Sequence, residues 1–270
     1  MIVREAGDHL VLVRQADHAL FSGELAAAWG RPPWQPPEPF PGVVVGARLH
    51  DLAWMAHDEA LPTRPDGRPF AFSEVQRLTS VGFYGRGLDA VQAIEPYAGL
   101  LASLHYSGFY HSHWGWLHWA PNTGLEGEEK AQVERFVAQE LGRQERLQAV
   151  LGGDDDAFER RLSCNYRWLQ LWDRISLDIC RYGFEGFEVT HPAMPAAYAP
   201  DAPEVSLRLR LAAGGACLLD PYPLTAEPYR VRIRCVRLPL ALCTPGRGEE
   251  LRRAWAAAGD DGIDVTLRAG

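Results

Sequence analysis

Lysine is almost missing from this chain: Lys130 is the only one, although the 270 residues carry 27 Lys plus Arg against 35 Asp plus Glu. With a formal charge of −8 and no Lys/Arg-rich run, the sequence argues against a nucleic-acid partner, because binding along a phosphate backbone needs a basic face. No apolar run approaches the roughly 20 residues that cross a bilayer. The opening Met1 to His9 lacks the basic-then-apolar order of a signal peptide. The expectation is a cytoplasmic protein with no membrane partner. Cysteine is sparse, and Cys164, Cys180, Cys217, Cys235 and Cys243 are scattered in apolar context, as reduced core thiols rather than disulfides or a zinc knot. There is no Gly-x-x-x-x-Gly-Lys loop and no Gly-x-Ser-x-Gly elbow, and the glycines from Gly82 to Gly87 have the wrong spacing for a dinucleotide loop.

What is present is enough apolar residue, 47%, to bury a sizeable core. Ile2 to Gln15 alternates around Gly7-Asp8, which predicts a hairpin. Helical periodicity follows over Ala16 to Trp29, Val43 to His57, Ser73 to Ile94, Pro96 to Tyr110, Glu126 to Leu151 and Glu159 to Cys180. Prolines 32, 33, 36, 37, 39 and 41 make the stretch from Gly30 to Gly42 a loop, and Leu61 to Phe72 reads as another. From about Phe187 the period changes to two: Val205 to Leu211, Ala216 to Leu219, Tyr229 to Leu242 and Ile263 to Leu267 read as antiparallel strands, with a helix at Glu249 to Ala257. The expectation is a mainly α fold: a helical domain over residues 1–186 that opens on a β-hairpin, and a small antiparallel β-rich domain or extension over 187–270. Covering a cleft and forming a homodimer are the two uses open to such a sheet, whose edges need protection.

The chemistry is concentrated in His18, the adjacent pair His50-Asp51, His105 and Asp173. Neighbouring side chains on a helix diverge by about 100°, so His50 and Asp51 reach one point only in a cleft between helices. Asp173 sits on the apolar stripe of its helix, where a carboxylate is costly unless it is paired or holds a cation. Imidazole and carboxylate together suit a divalent first-row ion. Taken singly, His18 or His105 could be a hydrogen-bonded core histidine and Asp173 a cap or an arginine partner; the set as a whole favours a metal. His57-Asp58 reads as a decoy at a helix end. His9, His111, His113, His118 and His191 read as solvated loop residues, and Trp114, Trp116 and Trp119 as a lid packed on the core.

The order His, His-Asp, His, Asp on successive helices resembles the HD-domain superfamily of metal-dependent enzymes. The wording Gln15-Ala-Asp-His18, Leu49-His-Asp51 with Trp54, Pro96-Tyr97, Ser103-Leu-His105 and Asn165 to Asp173 is similar to a bacterial domain-of-unknown-function family within or near it, over roughly residues 1–185. The resemblance implies that His18, His50, Asp51 and Asp173 ligate a divalent ion (Fe, Mn, Ni, Mg or Zn), with His105 extending the centre toward two ions. The lysine that often follows the dyad in hydrolytic members is replaced by Leu52, Ala53 and Trp54. The implied activity is hydrolysis of a phosphate ester or anhydride on a small anionic molecule or nucleotide. Asp51, Asp173 and His105 would be the catalytic side chains, and Arg48, Arg68, Arg167 or Arg174 the anion binder. A di-iron oxygenase is the alternative, and a non-catalytic metal- or nucleotide-binding protein the third.

Overall fold

A computed structural model describes residues 1–111, 124–184 and 186–270. The proposed tryptophan lid, Trp114, Trp116 and Trp119, lies outside the described residues, as do His113 and His118.

The hairpin forms as β1 (Ile2–Ala6) and β2 (His9–Val13), with Gly7 at φ 63° in its turn, a conformation open mainly to glycine. It does not stand apart. β2 pairs antiparallel with β6 (Tyr229–Pro239), setting Leu10 opposite Leu238. β6 pairs with β7 (Asp261–Ala269), β7 with β5 (Ala216–Asp220), β5 with β4 (Glu204–Ala212), and β4 with β3 (Glu188–Pro195). The result is one seven-stranded sheet in the order β1-β2-β6-β7-β5-β4-β3. The β5–β7 pair is parallel, so the sheet is mixed. This overturns the expected mainly α fold with a small antiparallel extension: the sheet is large and takes strands from both ends of the chain. Alternation reports which strands form but not which strands they meet, and residues 9–12 meet a partner more than two hundred positions away.

β3 went unread in the sequence because Pro192 and Pro195 interrupt it. It tolerates them as an edge strand with a register shift between His191 and Met194. In β4, Leu207, Leu209 and Leu211 are buried and Arg208 and Arg210 exposed, the signature of a strand with one face on the core.

Helices α1 (Gln15–Ala28), α2 (Phe40–Leu49), α3 (Met55–Ala60), α4 (Arg77–Ile94), α5 (Pro96–Gly108), α6 (Gly127–Val150) and α7 (Asp156–Tyr182) form the second layer. α1 and α7 lie on the sheet, contacting β6, β1 and β3. Leu25, Trp29, Leu169, Trp172 and Ile175 from these helices share one core with Val11, Val13, Leu207, Leu209 and Val265. α8 (Gly248–Ala257) covers the opposite face of the β2–β6 end, where Leu251 and Trp255 meet Leu10, Leu12, Val236 and Leu238.

Val43 to His57 is not one helix. α2 begins within the proline-rich stretch, since Pro41 is tolerated in a first turn, and the chain breaks at His50-Asp51 before a 3-10 turn (Leu52–Trp54) leads into α3. α4 packs closely on that break. A Cβ on Gly87 would lie 2.5 Å from Ala53 Cα, so the glycine serves close approach. The five cysteines are buried free thiols. No helix among the described residues is long and apolar enough to cross a membrane.

Candidate metal centre

Each of the five side chains comes from a different place in the fold. α1 carries His18 in its first turn, and its N-terminus is held from a distance: the Gln15 amide donates to Asp58 Oδ2 at 2.7 Å, while the Met1 amino group pairs with Asp58 Oδ1 at 2.6 Å. The His57-Asp58 pair therefore builds structure, with His57 packed edge-on against Trp54. His50 closes the C-terminal end of α2 and Asp51 follows it in the break. α5 starts at Pro96, capped by Glu95 accepting from the Ala98 amide at 2.5 Å, and carries His105. α7, capped by Asp155 accepting from the Phe158 amide at 2.6 Å, carries Asp173.

These elements bring all five together. His18, His50 and Asp51 each offer a donor atom within 4.8 Å of the others, and so do His50, His105 and Asp173. All five residues are buried. His18 Nε2 is 2.8 Å from Asp51 Oδ2; His50 Nε2 is 3.4 Å from Asp173 Oδ1 and 3.8 Å from Asp51 Oδ2; His105 Nε2 is 3.7 Å from Asp51 Oδ1. The rings of His50 and His105 lie edge to face at 4.8 Å.

The tautomers follow from the second partners. His50 Nδ1 lies 2.8 Å from the Ala47 carbonyl oxygen, which only accepts, so Nδ1 carries the proton. Nε2 is then the nitrogen aimed at the carboxylates; it is fully buried and stands 3.4 Å from Asp173 Oδ1 without a hydrogen bond of ordinary geometry. In His18, Nδ1 lies 3.2 Å from Ser176 Oγ, and that hydroxyl donates its own proton to His18 O at 2.9 Å. Nδ1 must therefore donate to Ser176, which turns Nε2 toward Asp51. A backbone carbonyl or hydroxyl that fixes one ring nitrogen so that the other faces the cleft is the arrangement found behind metal-ligating histidines.

Electrostatics agree with the geometry. Burial disfavours the imidazolium of His50, but Asp51 and then Asp173 outweigh it and raise the ring to about 9. Burial likewise opposes the charge on Asp51, yet His50, His105 and His18 hold it well below the usual carboxylate range; Asp173 is held down against burial mainly by His50. Without a cation the cluster neutralises itself with protons. The donors are those that a divalent ion would take in exchange for them.

A cleft of about 260 Å³ opens onto Asp51, His105 and Asp173. Sequence reasoning missed several of its polar residues. Gln15 Nε2 donates to Asp51 Oδ2 at 3.0 Å, and Gln15 Oε1 and Gln170 Oε1 are buried with no hydrogen-bond partner. Gln170, Asp173, Arg174 and Leu177 line the cleft at the i, i+3, i+4, i+7 spacing of one helix face. Trp54, Phe72, Tyr84 and Phe109 form an apolar wall. Nothing marks a glutamine as functional in a lone sequence, and the wall draws on four separate stretches of chain. Of the four arginines named for anion binding, Arg174 alone reaches this cleft, with Arg77 also lining it. Arg48 pairs with Glu24, Arg68 with Glu5 and Arg167 with Glu204. His191 is no solvated loop residue: it is 2% exposed and lies in β3.

The model of the family described as "Protein of unknown function (DUF3891)" matches residues 1–240. The chain belongs to this family. No curated protein and no solved structure matches the chain. The matched segment takes in all five clustered residues and β1 to β6, so in this DUF3891 chain α8 and β7 lie beyond it.

Proposed function

We propose that the chain is a metal-dependent phosphohydrolase of the HD type acting on a small anionic molecule or nucleotide. The observation that carries this reading is the fully buried Nε2 of His50, left without a hydrogen bond while carboxylate oxygens of Asp173 and Asp51 stand 3.4 Å and 3.8 Å away. His18, His50, Asp51 and Asp173 would hold the ion, and His105 would be a fifth donor or a partner of water in the cleft. When bound, a divalent ion (Fe, Mn, Ni, Mg or Zn) supplies Lewis acidity toward a phosphoryl oxygen and makes water acidic enough to act as a nucleophile.

The chain's own residues do the rest. Asp51 and Asp173, held ionised by the histidines, are poor proton acceptors and serve to ligate and orient. Gln15 fixes the rotamer of Asp51 through its 3.0 Å hydrogen bond. His105 lines the cleft and is the imidazole within reach of a bound molecule for proton transfer. The apolar wall from Trp54 to Phe109 excludes water from one side and suits an aromatic or aliphatic leaving group.

The test is phosphate release from phosphomonoesters, phosphodiesters and nucleotides by protein reconstituted with each of the five metals. Release that requires metal and is lost in Asp173→Ala is expected. Release that survives chelation or that substitution would contradict the reading. One observation supports oxidation at a di-iron centre as a second reading: Asp51 turns Oδ2 toward His18 and Oδ1 toward His105, the disposition of a bridging carboxylate. Two irons per chain with charge-transfer absorption would favour it.

A further inference from the structure

Asp178, one turn beyond Arg174 on α7, is a buried carboxylate that the metal cluster does not use. Its side chain is fully buried and neither oxygen makes a hydrogen bond. Its contacts are an ion pair to Arg174 Nε at 3.3 Å and an approach to His191 Nε2 at 3.8 Å. Burial raises the Asp178 carboxyl to about 6, against the pull of Arg174 and Arg181, and burial with Arg174 lowers His191 to about 4. At neutral pH the ring of His191 is thus uncharged, and Arg174 is the nearest counter-charge to Asp178. A buried carboxylate without hydrogen bonds costs stability, which calls for a role.

Arg174 supplies one. It lines the cleft beside Asp173, with its side chain 29% exposed. Asp178 engages it from behind through Nε, and among the described residues no carboxylate or carbonyl takes its two Nη nitrogens. A guanidinium held at Nε presents its Nη edge, the two-pronged fork that matches an oxyanion. Arg77 is tied only loosely to Glu129, at 3.9 Å, and sits more exposed on α4.

We propose that Arg174 is the side chain by which this cleft recognises a phosphoryl group, and that Asp178 is the positioning residue that aims it. This rests on reading the cleft as the active site and names the residue that selects for an anion there.

The experiment is calorimetric titration of the full chain with inorganic phosphate, both chelator-treated and manganese-loaded, with acetate as a parallel arm. Arg174→Gln is expected to weaken phosphate binding about tenfold or more in whichever state binds it, with Arg174→Lys intermediate, since the charge remains and the fork is lost. Asp178→Asn, an isostere whose fold is checked by circular dichroism, should weaken binding several-fold in the wild-type background and have no further effect beside Arg174→Gln. That non-additivity marks action through the arginine. Unchanged affinity in Arg174→Gln, additive losses in the double variant, acetate binding as tight as phosphate, or no phosphate binding in either state would each overturn the proposal. Arginine-dependent phosphate binding by a chain that takes up no metal would support it while removing the phosphohydrolase reading. Metal-dependent turnover with phosphate affinity indifferent to Arg174 would do the reverse.

Discussion

Two buried polar clusters meet α5 at neighbouring turns, and they solve the same problem differently. On one side, Glu140 Oε2 accepts from Ser103 Oγ and from Arg143 Nε, both at 2.9 Å, and Gln144 Nε2 donates to Ser103 and Ser107 at 3.0 Å. Burial raises the Glu140 carboxyl and Arg143 opposes it. The carboxylate is answered by a permanent cation, and although Glu140 Oε1 is left without a hydrogen bond, the network runs on through Arg143 to Asp89 and Gln92 and ties α4 and α5 to α6. On the other side, Asp51 and Asp173 are answered by the imidazoles of His18, His50 and His105. His50 Nε2 is left without a hydrogen bond, and a cleft gives access. The first cluster reads as structural because its counter-charge is a guanidinium that keeps its proton and none of its residues lines the cleft. We read the second as the site because a cation could take the place of the His50 proton there.

The widest separation between the two should come from Asp51→Ala. It is expected to lower metal affinity more than about a hundredfold, since even indirect partners of a ligand are worth ten- to a hundredfold, while circular dichroism shows the same fold. Stoichiometric metal in this variant would erase the distinction.

Next in size is Glu140→Leu, which takes the acceptor from Arg143 Nε and Ser103 Oγ but leaves Arg143 its 2.7 Å ion pair to Asp89 and its 2.7 Å bond to Gln92, and should destabilise the chain by about 3 kcal/mol in chemical denaturation. The pair Glu140→Leu with Arg143→Met should recover most of that loss. Metal content of the folded fraction should stay unchanged in both.

The third prediction uses pH. His50, raised from 6.5 to about 9, contributes stability that is fully present below pH 6.5 and disappears as pH climbs through 9. Asp51 and Asp173, held below 3.8, contribute above that value and lose their contribution as pH falls below it. Metal-free protein should therefore be most stable between about pH 4 and 6.5 and lose on the order of 3 kcal/mol toward pH 9. Metal-loaded protein should gain relative to it over the same range, because ligands must shed protons to bind. Parallel melting curves for the two forms would mean that the imidazoles exchange nothing.

The smallest effect is packing. Gly87→Ala pushes α4 against the backbone of Ala53, just after Asp51, and should cost about 1–3 kcal/mol with a modest loss of metal affinity. A loss of stability alone would show that the break after α2 tolerates strain without moving Asp51.

The five clustered residues were legible because His18, His105 and Asp173 are polar residues at buried helical positions and His50-Asp51 is an adjacent pair of rare type, and their order along the chain narrows the chemistry. The helices carrying them were legible from period, apart from the break at His50-Asp51, where apolar residues continue through a change of direction. The sheet was legible only in pieces. The period marked β1, β2, β4, β5, β6 and β7, but the β2–β6 pairing joins opposite ends of the chain and the parallel sense of the β5–β7 pair, read as antiparallel, has no local signal. Asp58 looked like a second dyad and is a remote cap for α1. Gln15 and Gln170 could not be read at all; Arg174 was one of four candidate anion binders, but its pairing with Asp178 was not legible, because an i, i+4 Arg-Asp spacing on a helix is usually a solvated pair, whereas here Asp178 is buried beside His191 of β3.

The most direct test of the central claim is the metal content of the wild-type chain purified without chelator, measured by elemental analysis and again after reconstitution with iron, manganese, nickel, magnesium or zinc. At least one ion per chain, lost together in Asp51→Ala and Asp173→Ala but retained in Glu140→Leu, is the predicted result. A folded wild-type chain that takes up none of the five metals would contradict it.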